Sequence, residues 1–144
     1  MFYHILILCM GNICRSPVAA RMLQAHLPDR KVESAGLTAL VDHSVDAMAA
    51  SLAEASGLDT TSHKARQVTV EMIRDADLIL VMNEHQRQRV SELDLASTGK
   101  TMLMGRWLPG QPSIPDPYKK GREAFEHVHT LLLNATAAWA ARLK

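Results

Sequence analysis

The sequence predicts a single-domain α/β fold: a four-stranded parallel sheet flanked by helices on both faces, Rossmann-like in organisation. Three observations predict it. Short apolar runs alternate with segments of helical period along the whole chain. The first run is continuously apolar rather than alternating, as expected of a strand covered on both sides. The length, 144 residues, suits one domain with one substantial core.

Ile5 to Leu8 reads as the first strand. A helix is expected from Ser16-Pro17, because proline's missing N–H costs nothing in a first turn. Ala19, Met22, Leu23, His26 and Leu27 then recur at helical spacing, and Pro28 stops them. KVESAG (31–36) reads as a second strand ending at Gly36. A helix follows from about Val45 to Ser56, with Gly57 as its C-terminal cap. Thr69 is placed to cap a short helix, VEMIRDA, ahead of the strand DLILVM (77–82). A polar helix from Glu84 to Leu93 precedes the strand KTMLMG (100–105). RWLPGQPSIPDPY (106–118) holds four of the six prolines and is a loop. The last helix, about 121–143, runs through Ala124, Phe125, Val128, Leu131, Leu132, Ala135 and Trp139. In such a sheet, active groups gather beyond the carboxyl ends of the strands, where Cys9, Ser34 and Asn83 fall.

Charged residues balance to a formal net charge of +1, so no whole-protein attraction to nucleic acid or anionic membrane is expected. Any anion binding must be local. The only two cysteines, Cys9 and Cys14, do not make a secreted disulfide framework. The N-terminal apolar run is too short to span a bilayer and lacks a basic flank, so the expectation is a cytoplasmic protein without stable membrane association. No histidine shows ligand spacing with the cysteines; no metal and no other cofactor is expected. The eight methionines read as core filling. No large apolar face is evident, and a monomer is the expected state.

The stretch CMGNICRSP (9–17) carries the chemistry. It places Cys9 at the carboxyl end of the first strand, with a loop leading into a helix. Gly11 and Asn12 tolerate unusual φ/ψ, so the backbone N–H groups of Met10, Gly11, Asn12, Ile13, Cys14 and Arg15 can curl around one point. A nest of that kind, with a helix N-terminus behind it, binds a tetrahedral oxyanion and also stabilises a thiolate. Ser16 can donate to the sulfur, and Arg15 offers a planar fork to two phosphate oxygens. A buried cysteine between strand and helix is ordinarily an inert small hydrophobe. Here the strand, the glycine, the helix start and the proline all agree on a cradle. Attack on a phosphate ester also requires a proton for the leaving oxygen. Asp116, stiffened by Pro115 and Pro117, is the candidate, although an Asp-Pro pair taken alone is ordinary turn chemistry.

CMGNICRSP, SAG (34–36), SHKARQ (62–67), VMN (81–83) and IPDPY (114–118) occur in the order found in low-molecular-weight protein-tyrosine phosphatases, and the chain resembles that family over essentially its whole length. The resemblance implies Cys9 as nucleophile, Arg15 as phosphate clamp and Asp116 as general acid/base. It also implies a polar network of Asn12, Ser16, Ser34 and His63 that shapes the phosphate loop, His63 acting through Asn12. Two positions depart from the eukaryotic pattern: Leu40 stands where an aromatic wall is found, and Lys119 replaces a second tyrosine after Tyr118. Both resemble the bacterial exopolysaccharide and capsule branch, which implies the tyrosine-rich tail of a membrane tyrosine autokinase as the phosphotyrosine substrate. Leu40 and Tyr118 would wall the pocket, Tyr118 packing on the substrate ring. Family members often carry Asp or Glu at the position of Asn83, whose role stays open.

Two rival readings share the loop. Thiol-dependent arsenate reductases of this fold need a further cysteine pair, and no cysteine follows Cys14, so only coupling to an external thiol would remain. A non-catalytic phosphate-binding module would have no use for Asp116. Cys14 itself has two readings of equal weight: a packed thiol, or, by family resemblance, a reversible disulfide partner that protects Cys9 from irreversible oxidation.

Overall fold

A computed structural model describes residues 2–144. The continuous apolar run becomes strand β1, His4–Cys9, whose Ile5, Leu6, Ile7 and Leu8 are all fully buried. Each such side chain contributes about 1.5–3 kcal/mol relative to exposure. It pairs in parallel with β2, Lys31–Gly36, on one side and with β3, Leu78–Val81, on the other. A fourth strand, β4, Thr101–Leu103, adds outside β3, giving the order β2-β1-β3-β4. The chain leaves β1 for β2 and then crosses back to β3, so the sheet reverses its winding direction at β1. Cys9, the last residue of β1, lies at the crevice where α/β sheets place their ligands.

Helices cover both faces. Ile5 and Ile7 point into a core closed by α1 (Arg15–His26), α2 (Ala47–Ala55) and α5 (Arg122–Leu143). Leu6 and Leu8 point into a smaller core with Ile73 of α3 (Val70–Asp75) and Val90 of α4 (Glu84–Leu93). The end signals act as their chemistry requires. Thr69 Oγ1 accepts from the Met72 amide, and Gly57, at φ +79°, ends α2 with its amide on the Glu54 carbonyl and that of Leu58 on Ala53. Asp46 caps α2 through the Met48 amide, so the helix starts at Ala47 rather than at the expected Val45. Asn83 acquires its role here: its Oδ1 accepts from the Gln86 amide and caps α4.

The expected six-residue strand at 100–105 is three residues long. Lys100 belongs instead to a 3-10 turn, Leu95–Lys100, tied by Ser97 Oγ to Asp94 and by Thr101 Oγ1 to the Ser97 carbonyl, and residues 104–105 already turn. The proline-rich loop after β4 is pinned at two points. The Ile114 amide donates to the Met82 carbonyl. Trp107 packs edge-on against Trp139 of α5, with centroids 5.6 Å apart, and the guanidinium of Arg142 stacks 3.9 Å over its ring. No helix among the described residues is long and apolar enough to cross a membrane.

Candidate active site

Five consecutive carbonyls of the loop after β1 are turned outward and engaged. Cys9, Met10 and Gly11 accept from the amides of Leu37, Thr38 and Leu40, each at 3.0 Å. Asn12 accepts from His63 Nε2 at 2.7 Å, and Ile13 from the Asp46 amide at 2.8 Å. The amides of residues 11–15 have no such protein acceptor among the described residues. Alternation of carbonyl and amide therefore turns the N–H groups to the inner side of the loop. A nest of this shape can bind a tetrahedral anion.

Asn12 holds the loop in that shape. Its backbone sits at φ +59°, a region asparagine tolerates better than most residues. Gly11, expected to share the strained position, has no positive φ, and a Cβ there would meet nothing nearer than 3.7 Å. The Asn12 amide nitrogen donates to Ser16 Oγ at 2.8 Å and to Ser34 Oγ at 3.0 Å, while its Oδ1 accepts from the Arg66 amide at 3.0 Å. His63 must carry its proton on Nε2 to donate to a carbonyl. Burial, the largest influence, holds that ring below the ordinary histidine value, against the opposing pull of the Asn12 bond. It is a neutral donor at pH 7.

Cys9 Sγ lies 2.9 Å from Ser16 Oγ and 3.4 Å from the Ser16 amide. With Ser16 Oγ already accepting from Asn12, its own hydrogen is free for the sulfur. Arg15, 3% exposed, donates from Nη1 to the Ile114 carbonyl at 2.8 Å, and Nη2 stands 3.6 Å from Asp116 Oδ2. Its buried Nε has no protein partner, a cationic donor held at the cradle. Asp116 Oδ1 accepts from the Tyr118 amide, which fixes the carboxyl at the cleft while leaving about half of the side chain exposed.

Cys9, Ile13, Arg15, Leu40, Asp116 and Tyr118 line one cleft of about 40 Å³. Leu40 lies against Gly11, and Tyr118, 38% exposed, stands at the rim with the Lys119 ammonium 5.5 Å above its ring. The structure thus brings Cys9, Asn12, Arg15, Ser16, Ser34, His63, Leu40, Asp116 and Tyr118 into one neighbourhood. Met10 and Cys14 contribute backbone, with Met10's side chain packed on the smaller core. Both cysteines are free thiols. Burial first, then the Asp46 carboxylate, pushes the Cys14 thiol far up, so it stays protonated at neutral pH.

Three residues escaped the sequence reading. Arg66 positions Asn12 through its amide, and Ile114 anchors Arg15 through its carbonyl; both act by backbone groups, which carry no side-chain signature. Gly36 is a glycine because a Cβ would lie 2.5 Å from the Met10 carbonyl oxygen. Its signal was present, as the last letter of SAG.

Fold and site define an α/β protein with an amide-lined anion cradle built around a cysteine at the sheet's switch point. The chain belongs to the low molecular weight phosphotyrosine protein phosphatase family, whose model matches residues 4–144. It is 47% identical over 142 residues to the low molecular weight protein-tyrosine-phosphatase Etp of Escherichia coli K12, covering 99% of this chain and 95% of that one. The crystal structure of the tyrosine phosphatase AmsI of Erwinia amylovora matches with a TM-score of 0.96 at 46% identity, over 99% of this chain and 93% of that one. Wzb of Vibrio vulnificus in complex with benzylphosphonate gives 0.95 at 41% identity, over 99% of each chain.

Proposed function

We propose that the protein hydrolyses phosphotyrosine in proteins, with Cys9 as nucleophile, Arg15 as phosphate clamp and Asp116 as general acid and base. The observation that carries this reading is the placement of Cys9 Sγ, held by Ser16, in one cleft with the Arg15–Asp116 pair. The Cys9 thiolate attacks phosphorus in line. The bond to the tyrosyl oxygen breaks as Asp116 delivers its proton to that oxygen. The inward amides and Arg15 take up charge on the non-bridging oxygens, where fixed dipoles need no reorganisation. Asp116, now ionised, removes a proton from water as that water attacks the phosphocysteine. Phosphate leaves and the thiolate is restored.

Leu40 and Tyr118 are apolar walls suited to an aromatic ring, and a ring long enough to carry phosphate to the amides selects tyrosine over serine. Kinship with exopolysaccharide and capsule phosphatases supports, as the physiological substrate, the tyrosine-rich tail of a membrane tyrosine autokinase, met in the cytoplasm by a monomeric enzyme. Para-nitrophenyl phosphate tests the chemistry: wild type turns over and Cys9→Ser does not. An active Cys9→Ser protein overturns the nucleophile. Pull-down with Cys9→Ser or Asp116→Ala from the source cell tests the substrate; the autokinase is the expected capture, and its absence among captured phosphoproteins refutes that assignment.

A further inference from the structure

Behind the phosphate loop lies a second, larger cavity, of about 380 Å³, between α1, the outer edge of β2 and residues 60–66. It is unlike the Cys9 cleft in chemistry and shares none of its lining. Arg21 of α1 and Lys64 of the 60–66 segment both line it. Arg21 makes one hydrogen bond, to Ser62 Oγ at 3.3 Å, and Lys64 makes neither a hydrogen bond nor an ion pair among the described residues. The one acidic side chain in the lining, Glu33, is already taken: Arg66 holds it at 2.9 Å, with Lys31 and His4 each at 3.3 Å. Two cations thus line the cavity without an ion pair to any carboxylate among the described residues, Arg21 having only the more distant Asp59 within electrostatic reach. Ser34 adds a hydroxyl hydrogen, since its oxygen accepts from Asn12 and no protein acceptor takes its proton.

From this arrangement we infer that the cavity is a binding site for a small, multiply charged phosphate compound, and that its occupant tightens the phosphate loop. The volume suits a small organic phosphate. Two cations and hydroxyl donors on a concave wall match a phosphate dianion, Arg21 supplying the planar fork. The coupling follows from what forms the floor. Ser34 and His63 line the cavity, and both hold Asn12, by side chain and by carbonyl. A hydroxyl that donates to an anion becomes a better acceptor for its other partner. That effect stiffens the loop that presents amides 11–15, so the occupant activates. The activation rests on the phosphatase reading; the binding does not.

The test uses the whole protein with its Cys9 cleft filled by saturating benzylphosphonate, whose own binding is first read as amide shifts in residues 10–16. Inorganic pyrophosphate is then titrated in. Saturable shifts are expected at the amides of Arg21, Ser34 and residues 62–64, with affinity at least about tenfold weaker in the Arg21→Ala/Lys64→Ala double variant, as loss of charged hydrogen bonds requires. No saturable shift there, shifts confined to residues 10–16, or equal affinity in the double variant overturns the site. With para-nitrophenyl phosphate at saturation, where competition at Cys9 is absent, pyrophosphate is expected to raise kcat about twofold or more in wild type. The double variant, with its basal kcat unchanged, is expected not to respond. Binding without a change in kcat overturns the coupling.

Discussion

The Arg15 guanidinium donates to the carbonyl oxygen of Ile114, two residues before Asp116, at 2.8 Å. One bond therefore joins the proposed phosphate clamp to the loop that carries the proposed acid. Ile114 is itself fully buried and hangs from the Met82 carbonyl at the end of β3. The two halves of the site, ninety-nine residues apart in sequence, share one anchor.

Ile114→Ala should loosen that anchor. A cavity in place of the side chain costs about 2–4 kcal/mol, read as a lowered urea midpoint at unchanged m. Misplacement of Arg15 and Asp116 together is expected to lower kcat/KM by about tenfold or more. Full activity in a folded Ile114→Ala protein would show that the anchor does not position the acid.

Asp116→Asn removes the proton for the leaving group. The loss in kcat should be about 10²–10⁴-fold on phosphotyrosine, and much smaller on para-nitrophenyl phosphate, whose phenolate leaves without help. A loss equal on both substrates would contradict an acid role and favour one in binding.

Substitutions at Asn12 separate backbone from network. Asn12→Ala strains the φ +59° position and breaks the bonds to Ser16, Ser34 and Arg66; Asn12→Gly breaks the same bonds without strain. The glycine variant should be more stable by about 1 kcal/mol, with kcat equally depressed in both. Recovery of kcat by glycine would mean that backbone conformation alone suffices.

How much of this was legible in the sequence depended on the range of the cause. β1 and β3 announced themselves because burial on both faces demands apolar residues without alternation. Thr69 and Gly57 were legible because a cap acts within a turn. The strand expected at 100–105 proved shorter at both ends: Lys100 closes a 3-10 turn held by the local bonds of Ser97 and Thr101, and Met104 and Gly105 already turn into the loop. At the site, the reactive side chains were readable from CMGNICRSP and IPDPY. The outward turn of five carbonyls was not, because its donors are backbone amides at 37–46 and a ring at 63.

His63 predicts a pH dependence of stability. Burial lowers its value in the folded state below the ordinary 6.5, so between the two values the unfolded chain binds more protons. Its contribution is fully present above about pH 6.5 and is lost as pH falls toward the folded value; nearby Arg21 and Arg66 push the same way. His63→Gln, which retains a donor for the Asn12 carbonyl, should flatten the urea midpoint against pH between 5 and 7. An unaltered slope would assign the dependence to another group, half-buried His129 first.

Cys14 is tested by oxidation. If the Cys9 sulfenic acid condenses with the Cys14 thiol and releases water, dithiothreitol restores peroxide-treated wild type. Cys14→Ser should recover far less, its Cys9 having passed to the sulfinic state. Equal recovery would leave Cys14 as a packed thiol only.

The edge-on contact of Trp107 with Trp139 has an optical consequence. These are the only tryptophans of the chain, one on the loop that carries Asp116 and the other on α5. At 5.6 Å and 73° their transitions couple as an exciton pair, and the Arg142 cation against Trp107 shifts its emission. Withdrawal of the loop by even a few ångströms would erase the couplet in circular dichroism. The molecule thus carries a built-in chromophore pair that registers loop position without any label.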